Sequence, residues 1–412
     1  MANLYDYLDW RGDLTFAQSP LNEVDSLIFT WLAYVEWDGV LSGPGEGEAL
    51  PLWKAAEKYF DQNPLPEEKN AAYSIFPKIT SAVLLHRLMQ LDRYRDILLC
   101  AFVNELDEGE QKQFAALTIL WEDRAYVSYR GTDTSFVGWK EDCFLVFDQA
   151  VPAQVSALKY LGQVPQLSGR RLYLGGHSKG GNLAVYAGVK CAPEIGSRIE
   201  LIFNNDGPGF PLSFIQSMDY YRMLPRIRTI IPQSSVVGLL LEHREAHSIV
   251  KSAQVSVLQH NAVHWEVKGT AFVREKDVSS VSLLFDRTLK DWVAKLEEEE
   301  QRSFIETLFG LLEATGAKYI EELGEDGLGK LVRALQALSD LEWEKKSMML
   351  RAVLLLVQAG NNRLYQALGA PGLEMIRQGQ KHARSIKEWV LEALNKILGM
   401  DEEGEQHIPE DE

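Results

Sequence analysis

Hydrophobic spacing divides the chain into three stretches. Up to about residue 95 apolar positions recur at helical intervals. Leu21, Val24, Leu27, Ile28 and Leu32 form one stripe, and residues 79–91 form a second apolar-rich helical run. The glycine- and proline-rich segment 41–50 between them is a loop. From about 96 the pattern shortens, and 97–103, 114–121 and 125–129 read as strands. A helix near 150–161, a strand at 171–174, a helix over 179–191 and strands at 199–203, 227–231 and 255–258 follow. Strands separated by helices predict a mostly parallel sheet with helices on both faces, an α/β fold. Beyond 278 the strand pattern stops. Helices are expected at 282–296, 304–314, 328–338, 345–357 and 373–398, with glycine-rich breaks at 324–329 and 369–372. The expected layout is a helical region over 1–95 packing on the core, an α/β core at 96–278, a helical region at 279–400 and a tail at 401–412.

Composition narrows the partners. Against 42 Lys+Arg stand 59 acids, a formal charge of −17, which argues against nucleic acid because phosphate binding needs a basic footprint. Seven of the acids lie in 401–412, leaving a mild −10 over the first 400 residues. That density does not oppose an anionic substrate at a pocket carrying Lys179, His177 and Arg130. Cys100, Cys143 and Cys191 are too few and too dispersed for a disulfide framework or a zinc site, so buried free thiols are expected. The N-terminus has no basic segment ahead of an apolar run, so no secretory signal is expected. The longest apolar run, 348–359, is cut by Arg351 and falls short of the roughly 18 residues of a membrane span. A cytoplasmic protein with no metal or organic cofactor is the expectation. HExxH, GxxxxGK[ST], CxxC and GxGxxG patterns do not occur.

The chemistry concentrates in Arg171-Leu-Tyr-Leu-Gly-Gly-His-Ser-Lys-Gly-Gly-Asn-Leu-Ala-Val-Tyr-Ala187. It holds G-x-S-x-G at Gly176–Gly180, with a strand-like run before it and an amphipathic helix after it. A serine on such a strained turn needs small neighbours, and the helix N-terminus directs N–H groups at a developing oxyanion. The competing reading is a glycine-rich turn with an idle serine. Upstream, Arg130-Gly-Thr-Asp133 follows a strand, where Thr132 can offer a backbone N–H and a hydroxyl. Taken alone it also reads as a turn with Thr132 or Asp133 capping the next helix.

Arg130-Gly131-Thr132 with Trp139 and Asp142, followed by the Gly-His-Ser-x-Gly-Gly elbow, resembles class 3 lipases. The chain is more similar to a bacterial lipase-like family catalogued as a domain of unknown function. That likeness rests on Asp6-Tyr-Leu-Asp-Trp-Arg-Gly-Asp13, Arg130–Asp133, Gly175–Ala184, Asn205-Asp-Gly-Pro-Gly-Phe210 and Gln259-His-Asn261. It implies an α/β-hydrolase fold and a hydrolase acting on an acyl ester or lipid.

A serine nucleophile needs an imidazole and a carboxylate, in the order Ser, acid, His for this fold. Of the late histidines, His243 and His247 read as a solvated helix face. His260 falls on a loop after an expected strand and matches the family pattern, and His264 is the reserve. For the acid, class 3 lipases imply an aspartate near 230–237, where this chain has serines and no carboxylate. Asp206 is the nearest substitute, against the equally good reading of Asn-Asp-Gly-Pro-Gly as an Asx turn. Asp219, Glu242 and Glu245 are weaker alternatives. The expected site is Ser178, His260 and Asp206, with Thr132 and the Lys179 backbone N–H receiving the oxyanion. His177 reads as a packing neighbour, and the Lys179 side chain reads as a surface lysine with a packed stem. The C-terminal helices are a candidate lid or protein-partner surface. The rival to an ester or thioester hydrolase is a catalytically inactive binding or scaffold protein of the same fold.

Overall fold

The computed structural model describes residues 2–65, 77–324, 327–349 and 351–352. The chain divides into two compact units, Met1–Ser282 and Leu283–Glu412.

The first unit is built on an eight-stranded sheet whose spatial order follows the chain. Its strands are β1 (Leu50–Pro51), β2 (Leu98–Asp107), β3 (Lys112–Trp121), β4 (Arg124–Tyr129), β5 (Arg171–His177), β6 (Ile199–Asn205), β7 (Ile227–Pro232) and β8 (His247–Val250). β1 to β4 pair antiparallel, with short connections joining β2, β3 and β4. β4 to β8 pair parallel, as expected where helices intervene between strands. The parallel register sets Tyr129 beside Gly176, His177 beside Asn205, and Asn205 beside Ile230. The residues that leave β4, β5, β6 and β7 therefore emerge at one level of the sheet, where ligands bind in open α/β sheets.

Period-two alternation assigns the faces. Ala125, Val127, Leu172, Leu174 and Ile202 share a core with helices Pro152–Gln163 and Lys179–Lys190. Tyr126, Phe203 and Ile230 face the other way, into a core with helix Glu23–Leu32. That helix opens on a capping box, Asn22 with Asp25, and every residue from Val24 to Leu32 is buried. The fully buried Asp25–Arg93 pair (2.6 Å) ties it to the segment leading into β2. The N-terminal region thus forms part of the same unit as the sheet.

Two expectations fail at the sheet's far edge. Residues 256–260 form a 3-10 turn rather than a strand, because β8 occupies the last position and Val255 remains 70% exposed with no sheet to pack on. Residues 243–247 form no helix. They enter β8 as a partly buried segment, since Glu245 collects polar partners from Thr229 and Tyr220.

In the second unit, helices cover Glu298–Glu313 and Gly327–Asp340, and helix Ser280–Val293 spans the division between the units. Residues 343–349 are also helical. Residue 350 and residues 353–357 of the helix expected at 345–357, the expected helix at 373–398, the glycine break at 369–372 and the acidic tail at 401–412 lie outside the described residues. No described helix is long and apolar enough to cross a membrane.

Candidate active site

Ser178 is the single residue between β5 and helix Lys179–Lys190, with φ 58° and ψ −135°. A non-glycine residue held there stores about 1–3 kcal/mol of strain, which the surrounding structure must over-determine. Its N–H donates to Asn205 O (3.0 Å), and its carbonyl accepts from Gly181 N (2.9 Å). Gly180 is demanded by close approach: a Cβ there would lie 2.1 Å from Tyr129 O. The helix therefore starts directly against the end of β4. At Gly131 a Cβ would lie 3.1 Å from Ser178 Cβ, so the Arg-Gly-Thr segment passes beside the serine.

Asp206 leaves β6 with φ 51° and is fully buried. Its Oδ2 accepts from His260 Nδ1 at 2.7 Å, while its Oδ1 accepts from Ser235 Oγ (2.5 Å) and Gly238 N (3.2 Å). With Oδ1 already taking two donors, the carboxylate meets His260 as an acceptor. Nδ1 then carries the hydrogen, and Nε2 is left as the basic face of the ring. The turn that competed for Asp206 is made by its neighbour, since Asn204 Oδ1 accepts from Gly207 N at 2.9 Å. The serines found where class 3 lipases carry the acid have a use as well: Ser235 supports Asp206.

His260 lies against the residue preceding the serine. The His177 and His260 ring centroids are 4.5 Å apart, and His177 Nε2 donates to His260 O at 2.7 Å. A carbonyl can only accept, so His177 Nδ1 is bare and takes the Tyr34 hydroxyl (3.4 Å), which itself accepts from Gly131 N (3.1 Å). Burial, reinforced by His260, pulls the His177 pKa well below the usual imidazole value. A neutral His177 thus ties the His260 turn to the Gly131 loop. Ser178 and His260 are not hydrogen-bonded to one another, a contact that commonly tightens only when substrate binds.

Among the described residues, the Thr132 and Lys179 backbone N–H groups have no acceptor. The Thr132 hydroxyl is not offered alongside its N–H: Oγ1 donates to Asp142 Oδ2 at 2.5 Å. Neither Thr132 nor Asp133 caps the following helix, Phe136–Phe144, whose cap is Ser135.

Lys179 departs from expectation. Its side chain is buried instead of lying on the surface, and Nζ donates to Glu141 Oε2 and Gln113 O, both at 2.9 Å. The reason is Glu141, a fully buried carboxylate that draws a cation inward. Arg130 is likewise buried, donating to Asn104 Oδ1 at 2.8 Å. Lys179, paired with Glu141, is thereby not free to attract an anionic substrate. Asp142 lies 3.7 Å from Lys179 Nζ. Burial and the charges of Glu141 and Asp133 push the Asp142 pKa up to about 6, against the pull of Lys179 and Thr132.

The other candidates lie apart from this cluster. His243 Nδ1 bonds Glu245 Oε1 (3.1 Å), and Tyr220 and Thr229 donate to the same carboxylate. Burial alone would raise the Glu245 carboxyl, but His243 and the two hydroxyls hold it well below the usual range. His247 packs on His243, Asp219 pairs with Arg222, and His264 is partly buried. Glu242 pairs its backbone with Phe210. Cys100, Cys143 and Cys191 are unpaired. A cavity of about 330 Å³ lined by Phe16, Arg93, Trp121, Glu122 and Arg170 opens at the opposite end of β4 and β5, away from Ser178. Sequence reasoning missed Tyr34, Ser235 and Glu141, none of which has a local signature.

The sequence model of the Mbeg1-like family matches residues 88–310. No curated protein matches the chain by sequence. Among solved structures the chain is similar to the lipase of Rhizopus microsporus var. chinensis, at 15% identity over 51% of this chain and 83% of that one, with a TM-score of 0.31. Similarity to the Lip2 lipase of Yarrowia lipolytica is at 9% identity over 64% and 90%, with a TM-score of 0.33. For the Rhizomucor miehei lipase in its propeptide complex the figures are 17% identity, 38% and 57%, with a TM-score of 0.28.

Proposed function

We propose that this chain, which belongs to the Mbeg1-like family, is a serine hydrolase that cleaves an ester or thioester through an acyl-enzyme on Ser178. The observation that carries the reading is the buried Asp206 bonded to His260 at 2.7 Å, on the turn packed against the strained Ser178 elbow. In this reaction His260 Nε2 takes the Ser178 hydroxyl proton as Oγ bonds to the acyl carbon. The carbonyl electron pair moves to oxygen, which the Thr132 and Lys179 N–H groups receive. Collapse expels the alcohol or thiol with the proton from His260. Water then attacks the acyl-enzyme with His260 as base, releasing the carboxylic acid and restoring Ser178. Asp206 keeps Nδ1 protonated and stabilises the imidazolium.

An acyl chain suits the flanks of the site. Trp139, on the helix after Thr132, and Val255 and Leu258, ahead of His260, are exposed apolar side chains. The test is labelling of the full chain with a fluorophosphonate probe, alongside hydrolysis of p-nitrophenyl esters of graded length. Labelling that disappears in Ser178→Ala and falls sharply in His260→Ala is the expected result. Folded protein with no Ser178-dependent labelling would overturn the reading in favour of a binding or scaffold role.

A further inference from the structure

Stability gives no reason for a lysine directly after the nucleophile. The Lys179 and Glu141 side chains are 0% and 1% exposed, and replacing a buried ion pair by packed apolar side chains is often neutral or stabilising. Glu141 is already served by two backbone donors, Gln113 N (3.1 Å) and Ala153 N (2.8 Å). Besides Glu141 and the Gln113 carbonyl, the ammonium reaches Asp142, at 3.7 Å, and the far oxygen of Asp142 takes the Thr132 hydroxyl. A line of polar contacts thus runs from the residue after Ser178 to the loop that supplies the second N–H.

We infer that Lys179 is a positioning residue: its buried ammonium seats Asp142 so that the carboxylate fixes the Thr132 side chain and holds the loop with its N–H toward the reacting carbonyl. This rests on the serine-hydrolase reading. A hydroxyl has one hydrogen, and once given to Asp142 it is not available to an oxyanion. Thr132 therefore contributes its backbone N–H, and its hydroxyl serves as an anchor. Taking the ammonium away leaves Glu141 and Asp142 facing each other with no cation between them, and the anchor loosens. A loop displaced by about 1 Å loses on the order of a hundredfold in rate, because the donors no longer meet the oxygen where charge develops.

The experiment compares p-nitrophenyl acetate hydrolysis and fluorophosphonate labelling for wild type, Lys179→Met, Asp142→Asn, Thr132→Val, Thr132→Ser and the Asp142→Asn/Thr132→Val double variant. Lys179→Met, Asp142→Asn and Thr132→Val are each expected to lower kcat about tenfold to a hundredfold while KM changes little. The double variant should be no worse than the poorer single one, because both break the same link. Thr132→Ser, which keeps the hydroxyl, should restore kcat to near wild type. Asp142→Asn leaves the Lys179–Glu141 pair intact and carries the test if Lys179→Met does not fold. A silent Asp142→Asn beside a Thr132→Val that loses several hundredfold would mark the hydroxyl as a direct oxyanion donor and overturn the inference. Folded Lys179→Met with unchanged kcat would overturn it too. Wild-type protein without Ser178-dependent labelling would overturn the hydrolase reading itself, and this inference with it.

Discussion

Asp206→Asn isolates the orienting step with little disturbance to the fold. The backbone tolerates it: φ at this position is 51°, and asparagine is among the few residues that accept the left-handed region readily. The hydrogen bonds decide the outcome. On one side of the carboxylate stand Ser235 Oγ (2.5 Å) and Gly238 N (3.2 Å); on the other stands His260 Nδ1 (2.7 Å). Ser235 can turn its hydroxyl, but the Gly238 N–H is fixed and can only donate. The amide oxygen must therefore face Gly238, and the amide NH2 must face His260. An NH2 donates, so Nδ1 becomes an acceptor and the ring hydrogen moves to Nε2. That tautomer presents a hydrogen, not a lone pair, to Ser178.

The wrong tautomer in a Ser-His-Asp arrangement costs about ten-thousandfold in kcat, or roughly 5.4 kcal/mol of barrier. The loss in stability should be far smaller. Two bonds on the oxygen survive, and weakening one charged hydrogen bond costs about 1–3 kcal/mol. Ester hydrolysis and probe-labelling rates measure the first quantity, and thermal melting followed by circular dichroism measures the second. A variant that melts within a few degrees of wild type and is nearly inert fits the reasoning. One that keeps kcat within tenfold of wild type would refute it, and would show that another group orients His260.

Three further outcomes follow from the packing and charge. Gly180→Ala places a Cβ at 2.1 Å from Tyr129 O, so it should lose about 1–3 kcal/mol and lower the melting temperature by several degrees, with a fall in activity; an unshifted melt would contradict the close approach. Burial raises the thiols of Cys100 and Cys143 to about 12 and that of Cys191 to about 11, so a thiol reagent at pH 8 should react far more slowly with the native protein, half-buried Cys143 first, than with the denatured one. Glu245 titrates lower in the folded chain than in the unfolded one, so its contribution is complete above the unfolded value near 4.3 and disappears as the pH falls through the folded value. Glu245→Gln should therefore lose about 3 kcal/mol at pH 7 and progressively less towards pH 3, read as urea midpoints across that range; a constant difference would refute the pairing.

What the sequence discloses follows the range of the interactions involved. β5 and its helix are legible because a run of seven strand residues, a tight turn and an apolar helical face are all local. β8 is not, since four mixed residues, His247–Val250, carry no period and owe their state to pairing with β7. The apolar run from Val255 has the period of a strand but arrives after the edge is filled. Propensity proposes, and the vacancy in the sheet decides.

The same division runs through the site. The glycines around Ser178 announce a close approach, while chain order leaves four late histidines in the core, of which loop position and the family pattern bring His260 forward. Asp206 could not be told from a turn residue, because Asn-Asp-Gly satisfies both demands with the same letters. Only the side-chain directions separate them, with Asn204 closing the turn and Asp206 released toward His260. Lys179 was misread for a stronger reason. Whether a lysine is buried depends on whether a carboxylate waits inside, and the one that does, Glu141, lies 38 residues earlier on a different helix. No local window contains both charges. A position that contradicts its residue's usual habit, next to a nucleophile and in an ion pair that packed apolar side chains could replace, is where a fold carries something besides stability.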